Sequence, residues 1–248
     1  MKLTTLILLE SYKQKKGWLW LFLLVIPTGT TLAMFLDINE RYNYLLDTAS
    51  PGYNSWDVLL LENHSVLGWG MFLPMFIGII YSLIFQVEDS QNNWKQILSL
   101  PIKREAVYFS KFLAGLLCCI ALIILNMLGL ILVGYMMDFP EAVEWSSYLF
   151  YAGKQIVMIL AVASLHNWLS SYFKNTIIPI AIGFAGVIVS GIVKFQYPEA
   201  GKFFPYMYPY VTDGLVNKEL AEFLPYSLVF TLLFLCFGIW QFKRKDVL

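Results

Sequence analysis

The stretch WKQILSLPIKREAVYFSK, Trp94 to Lys111, lies between two long apolar runs, Ser65 to Val87 and Phe112 to Met137. Trp94, Ile97 and Leu98 fall at i, i+3 and i+4, an apolar stripe for a short helix, with Lys95, Gln96 and Ser99 on its other faces. Pro101 stops that helix, and Lys103, Arg104 and Glu105 open the next one. A helix resting on lipid and a helix docking into protein both fit the pattern. The lipid reading leaves Glu88 and Asp89 unexplained, because an anionic membrane surface repels carboxylates placed just before the stripe.

Outward from this stretch the chain is mostly apolar. Of its 248 residues 58% are hydrophobic and only 14% charged, with a mean hydropathy of +0.64. That balance excludes a soluble domain and predicts an all-α integral membrane protein, a single transmembrane domain over residues 1–248. A hydrocarbon core of roughly 30 Å takes about 20 helical residues to cross. Six spans satisfy this: 17–36, 65–87, 112–137, 147–172, 176–193 and 224–242. The first is too long for a signal-peptide core and no A-x-A site follows it, so it reads as a retained anchor. The fourth is interrupted by His166 and Asn167 and carries Lys154 near its start, from where the ammonium can snorkel to the interface if it lies at a helix end.

Charge sets the orientation. Twelve of the 17 basic residues fall in the amino-terminal tail, the loops after spans two and four, and the carboxyl tail; twelve of the 17 acids fall in the alternate loops. The basic side is expected to be cytoplasmic, with both termini inside. Residues 1–16 place Leu3, Leu6, Ile7 and Glu10 at helical spacing ahead of a lysine cluster, predicting an amphipathic helix along the inner membrane face. The loop from Asp37 to His64 is acidic and broken by Pro51 and Gly52, which fits either a small external cap or a disordered loop. Between spans five and six, FFPYMYPY (Phe203 to Tyr210) has too many rings for a disordered linker and too many prolines for one helix. Short outer re-entrant or interfacial helices are predicted there. Net charge is zero, so nucleic acid is not an expected partner. Cys118, Cys119 and Cys236 lie inside apolar runs and read as packing residues.

Acidic Glu88-Asp89, then the short helix, SLPIKR and a third span, resemble the corresponding loop of ABC-2 type transporter permeases. The six spans, the amphipathic start and the Pro-broken outer segment extend the resemblance over the whole chain. It implies that the loop is a coupling helix docking into a separate ATPase. Glu88, Asp89, Trp94, Ile97, Leu98, Leu100, Pro101, Lys103, Arg104 and Glu105 are then the coupling residues. It also implies two ATPase copies, with ATP and Mg on those subunits and no cofactor on this chain, and a second permease, identical or homologous. The chain has no phosphate loop of its own, since Gly153-Lys154 and Gly201-Lys202 lack the earlier Gly and the following Ser or Thr. His64 and His166 fall on opposite sides of the expected topology, so no metal site is expected.

Inside the spans, Thr28 and Thr31 beside Pro27, together with Asn126, mark an expected cargo pathway, and Phe203, Phe204, Tyr206, Tyr208 and Tyr210 a lid over it. Anchoring in the outer interface is the competing reading of those rings, and interhelical hydrogen bonding that of Asn126. Gly183, Gly186 and Ser190 are spaced for close helix contact, within the subunit or across a dimer. A pathway without charges suits an amphipathic or hydrophobic cargo. The resemblance extends to exporters of membrane-active peptides, such as lantibiotic-immunity and phenol-soluble-modulin exporters, in a bacterial plasma membrane. A lipid or hydrophobic drug is the alternative cargo; a membrane-embedded enzyme or six-span sensor is the alternative class.

Overall fold

The computed structural model describes residues 2–90, 93–211 and 218–244. Among them are ten α-helices and no strand. Six helices are long and apolar enough to cross a membrane: α2 (Trp18–Thr48), α4 (Trp69–Ser90), α6 (Arg104–Met136), α7 (Trp145–Tyr172), α8 (Ile177–Gln196) and α10 (Lys218–Lys243). The short helices are α1 (Leu3–Lys13), α3 (Ser55–Leu61), α5 (Trp94–Ser99) and α9 (Tyr208–Val211). α4 and α7 form the middle of the bundle. α7 packs on α4, α6 and α10, while α8 packs on α4 and α2 on α6. α1, α5, the start of α6 and the end of α10 meet on one face, termed here the basic face; α3 caps the other.

The helices overrun the spans read from hydropathy. α2 continues twelve residues past Leu36, to Thr48. Its extension is polar but well formed: Arg41 pairs with Asp37 one turn earlier, at 2.7 Å, and with Glu62 at 3.0 Å. Of the two readings of the 37–64 loop, the cap is the one formed. Asn54 and Asp57 close a capping box on α3, and Trp56 lies buried against Gly134, its Nε1 donating to the Glu141 carbonyl at 2.8 Å. A Cβ at Gly134 would stand 2.3 Å from the indole, so only glycine admits that ring. α3 runs on through a π-helical turn, Glu62–Val66, which aims Asn63 and His64 into the bundle.

Lys154 does not snorkel. α7 starts at Trp145, nine residues earlier, so Lys154 is carried inward and buried, its ammonium 5.0 Å from the centre of the Phe150 ring.

Candidate functional site

Trp94 anchors α5 to the basic face. Trp94 is turned inward, 7% exposed, its rings packed on Phe85 of α4 at 6.1 Å and on Phe242 of α10 at 5.6 Å. Its Nε1 donates to the Asp89 carboxylate at 2.6 Å, so Asp89 fixes the anchor rather than facing outward. Ile97 packs partly against the core. The side chain of Leu98 lies outside the described residues. Leu100 is 51% exposed, and Pro101, Lys95, Gln96, Ser99 and Lys103 are exposed with it. Arg104 donates to the Lys243 carbonyl at 2.8 Å and Glu105 pairs with the Lys243 ammonium at 2.5 Å, tying the start of α6 to the end of α10. The residues expected from the sequence as one ridge therefore divide. Trp94, Asp89, Arg104 and Glu105 hold the device in place, and Leu100, Pro101 and Lys103 form its outward tip.

Glu88 belongs to a different structure. It is fully buried beneath α5 with Lys111, in a closed ring of four charges. Going round it, Lys13 meets Glu10 at 2.7 Å, Glu10 meets Lys111 at 2.7 Å, Lys111 meets Glu88 at 2.6 Å, and Glu88 meets Lys13 at 2.8 Å. Each carboxylate uses both oxygens and the net charge is zero. Lys111 also lies 5.1 Å from the Phe85 ring centre and 5.6 Å from that of Trp94, so the anchor of α5 rests on the ring. Burial pushes the Glu10 carboxyl upward, but Lys111 and Lys13 beside it outweigh this and hold it below its ordinary range. For Lys13 burial acts downward, and the carboxylates of Glu10 and Glu88 outweigh it and hold the ammonium above its ordinary range. The sequence signalled Glu88 and Lys111 only as charges at the edges of apolar runs. The i, i+3 spacing of Glu10 and Lys13 was the one readable hint that α1 takes part.

Six spans, with a short proline-stopped helix exposed between the second and third, are joined by direct evidence of descent: a model of the ABC-2 family transporter protein matches residues 6–190. The chain belongs to the ABC-2 transporter family. No curated protein matches it.

Within the ABC-2 permease the expected pathway residues separate. Thr28 and Thr31 border an apolar groove of about 720 Å³ between α2 and α6, with Trp20, Pro27, Leu125 and Gly129. Their hydroxyls donate to their own helix, Thr28 to the Leu24 carbonyl at 2.7 Å and Thr31 to that of Pro27 at 2.7 Å, so the wall they present is apolar. Asn126 is behind that wall, buried, its amide donating to Thr30 at 3.0 Å and exchanging hydrogen bonds with Asn63 at 3.2 and 3.4 Å.

The outer aromatic segment re-enters the bundle. Tyr206, Tyr208 and Tyr210 are buried, Phe204 packs on Tyr206, and only Phe203, at 67% exposure, stands outward. The Tyr206 hydroxyl bonds His166 Nε2 at 3.0 Å, and Tyr208 donates to the Lys202 carbonyl at 2.7 Å. The Tyr210 ring lies 3.6 Å beneath the Lys194 ammonium. His64 bonds the Tyr210 carbonyl at 3.1 Å and the Tyr151 hydroxyl at 2.9 Å, while Gln155 donates to the Pro209 carbonyl at 3.2 Å. The two histidines, which the topology set on opposite sides, thus grip one segment. His166 sits against Gly78, near the middle of α4, because the segment reaches that deep. Gly183 and Gly186 make room for this contact. A Cβ at Gly186 would come within 2.5 Å of the Tyr206 ring, and one at Gly183 within 3.3 Å of His166. Ser190, also buried, donates to its own Val187 carbonyl. The small residues of α8 therefore serve packing inside the subunit.

Proposed function

We propose that this permease is the membrane subunit of an ATP-driven exporter in a bacterial plasma membrane, with the basic face and both termini in the cytoplasm. An ATPase subunit, which supplies ATP and Mg chemistry, docks on α5; two permeases and two ATPases make the working unit. The observation that carries this reading is the exposed Leu100-Pro101 tip on a helix fixed rigidly to three spans. A part that passes force from a soluble engine to a helix bundle needs an apolar point of contact, charges around it for register, and a stiff mounting. Lys95 and Lys103 supply the charges, and Trp94, Arg104 and Glu105 the mounting.

The proposed cargo is an amphipathic, membrane-active peptide. The apolar groove between α2 and α6 favours a second reading, a lipid or hydrophobic drug, since its threonine hydroxyls are already satisfied. The buried tyrosines leave Phe203 as the ring of the outer segment that can meet a cargo directly. Leu100→Asp and Leu98→Asp, produced in cells that also express the ATPase subunit proposed here, test the docking reading by co-purification: loss of the ATPase with normal membrane insertion is expected. Retention of the ATPase and of transport in both variants would leave α5 as a helix lying on lipid. Sensitivity of a deletion strain to a panel of membrane-active peptides, with the peptide retained in cells counted, separates peptide from lipid cargo.

A further inference from the structure

Buried ion pairs are a weak way to hold two helices together, because desolvation takes back most of their attraction; apolar side chains of equal volume do as well or better. What a closed ring of charges supplies is position. Sliding α1 by one turn, about 5.4 Å, would part at once both contacts that join it to the bundle, Glu10 to Lys111 and Lys13 to Glu88, whereas an apolar contact tolerates such a shift. α1 has little else to fix its register. Leu6 and Glu10 are its buried residues, and Leu8, Leu9 and Tyr12 are exposed. The ring also lies where it can be disturbed from outside, since Lys111 carries the indole of Trp94, the anchor of α5, on its ammonium. Glu88 lies in the last turn of α4 and Lys111 about two turns into α6, so the ring joins the two helices that bear the loop carrying α5.

We infer that the ring makes α1 and α5 one mechanical unit, with Lys111 as the positioning residue through which a displacement of α5 reaches the amino-terminal helix. A push on α5 shifts the Trp94 indole, the indole shifts the Lys111 ammonium, and Glu10 follows because its second oxygen is already committed to Lys13. The path runs the other way equally well, as coupling between two sites must. The inference takes only the identity of the input, a docked ATPase, from the proposed function; the coupling is a property of the permease alone.

Hydrogen exchange of the full-length permease in lipid nanodiscs, without any ATPase, tests it. Trp94→Ala is expected to raise exchange about tenfold in α1, since its indole rests on the Lys111 ammonium that Glu10 holds. Glu10→Gln, a milder change, is expected to raise exchange in α5 as well as in α1. Lys111→Met should loosen both helices and Lys111→Arg should restore both, while the capped α3 on the opposite face keeps wild-type exchange throughout and reports an intact fold. Changes confined to the helix that carries the substitution would overturn the inference. So would a Glu10→Gln permease whose α5 exchanges as in the wild type, whatever the fate of the Trp94 variant. Neither result depends on ATPase binding, so failure here and failure of the docking reading are told apart.

Discussion

The basic face and the outer segment solve the same problem with different chemistry. On the basic face, a short helix that crosses nothing is bound to the bundle by full charges, two ammonium groups against two carboxylates within 2.8 Å. In the middle of the bundle, the FFPYMYPY segment is bound by imidazole, phenol and amide groups, Tyr206 to His166 and Tyr210 and Pro209 to His64 and Gln155. Depth explains the choice. An ion is costly at the centre of a bilayer and affordable near its edge, where water and headgroups are close. The lesson is that a clamp at the edge can be strong in position and sensitive to charge, while a clamp at depth must rely on fit, with glycines cut to the shape of a ring.

The largest test of this contrast is Lys111→Met, which leaves two buried carboxylates facing Lys13 alone. Loss of one partner from a buried ionic network costs about 3–5 kcal/mol, to be read from thermal or denaturant unfolding of the purified permease. Next comes Gly186→Val, which drives a methyl into the Tyr206 ring; overpacking costs about 1–3 kcal/mol and should push the outer segment out of the bundle, visible as new protease cleavage near Phe203. Tyr206→Phe removes one hydrogen bond and strands His166 Nε2, for about 1–2 kcal/mol by the same unfolding measurement. If the deep clamp proved costlier to break than the ring, the ordering by charge would be wrong.

Acidity should separate the two regions as well. Glu10 is held below its ordinary range, so its share of stability is complete above the ordinary carboxylate value of about 4.3 and is lost as pH falls through the lower folded value. Lys13 is held above its ordinary range, so its share is complete below about 10.4 and is lost as pH rises through the higher folded value. Unfolding followed against pH should show the acid limb in the wild type and a shallower one in Glu10→Gln. The smallest effect is expected for Lys103→Ala: within about 0.5 kcal/mol in stability, with slower and less salt-sensitive association of the proposed ATPase measured by surface binding.

The spans were legible because lipid is read one residue at a time: a run of twenty apolar side chains declares itself whatever its neighbours do. The extension of α2 to Thr48 was not, since polar residues leave the membrane without leaving the helix, and their support comes from Arg41 pairing across to Glu62. The stripe Trp94, Ile97, Leu98 gave a face but not its direction, because an apolar ridge suits the bundle beneath as well as a partner above. Lys111 and Glu10 are 101 residues apart and Tyr206 and His166 are 40 apart. No local pattern announces such a meeting. In each case the sequence displayed the cost, a charge or a histidine in an apolar run, without the partner that offsets it.

The ring has a consequence for how the chain is made. Glu10 is synthesised 101 residues before Lys111, and at roughly 5–20 residues per second that is a wait of about 5–20 s. During it, the first spans enter the membrane while α1 keeps its charges in water at the surface. Only when the root of α6 arrives can the fourth corner be supplied. α1 therefore takes its place only after α2 and α4 have been made, and its seating reports that those two spans have been inserted in order.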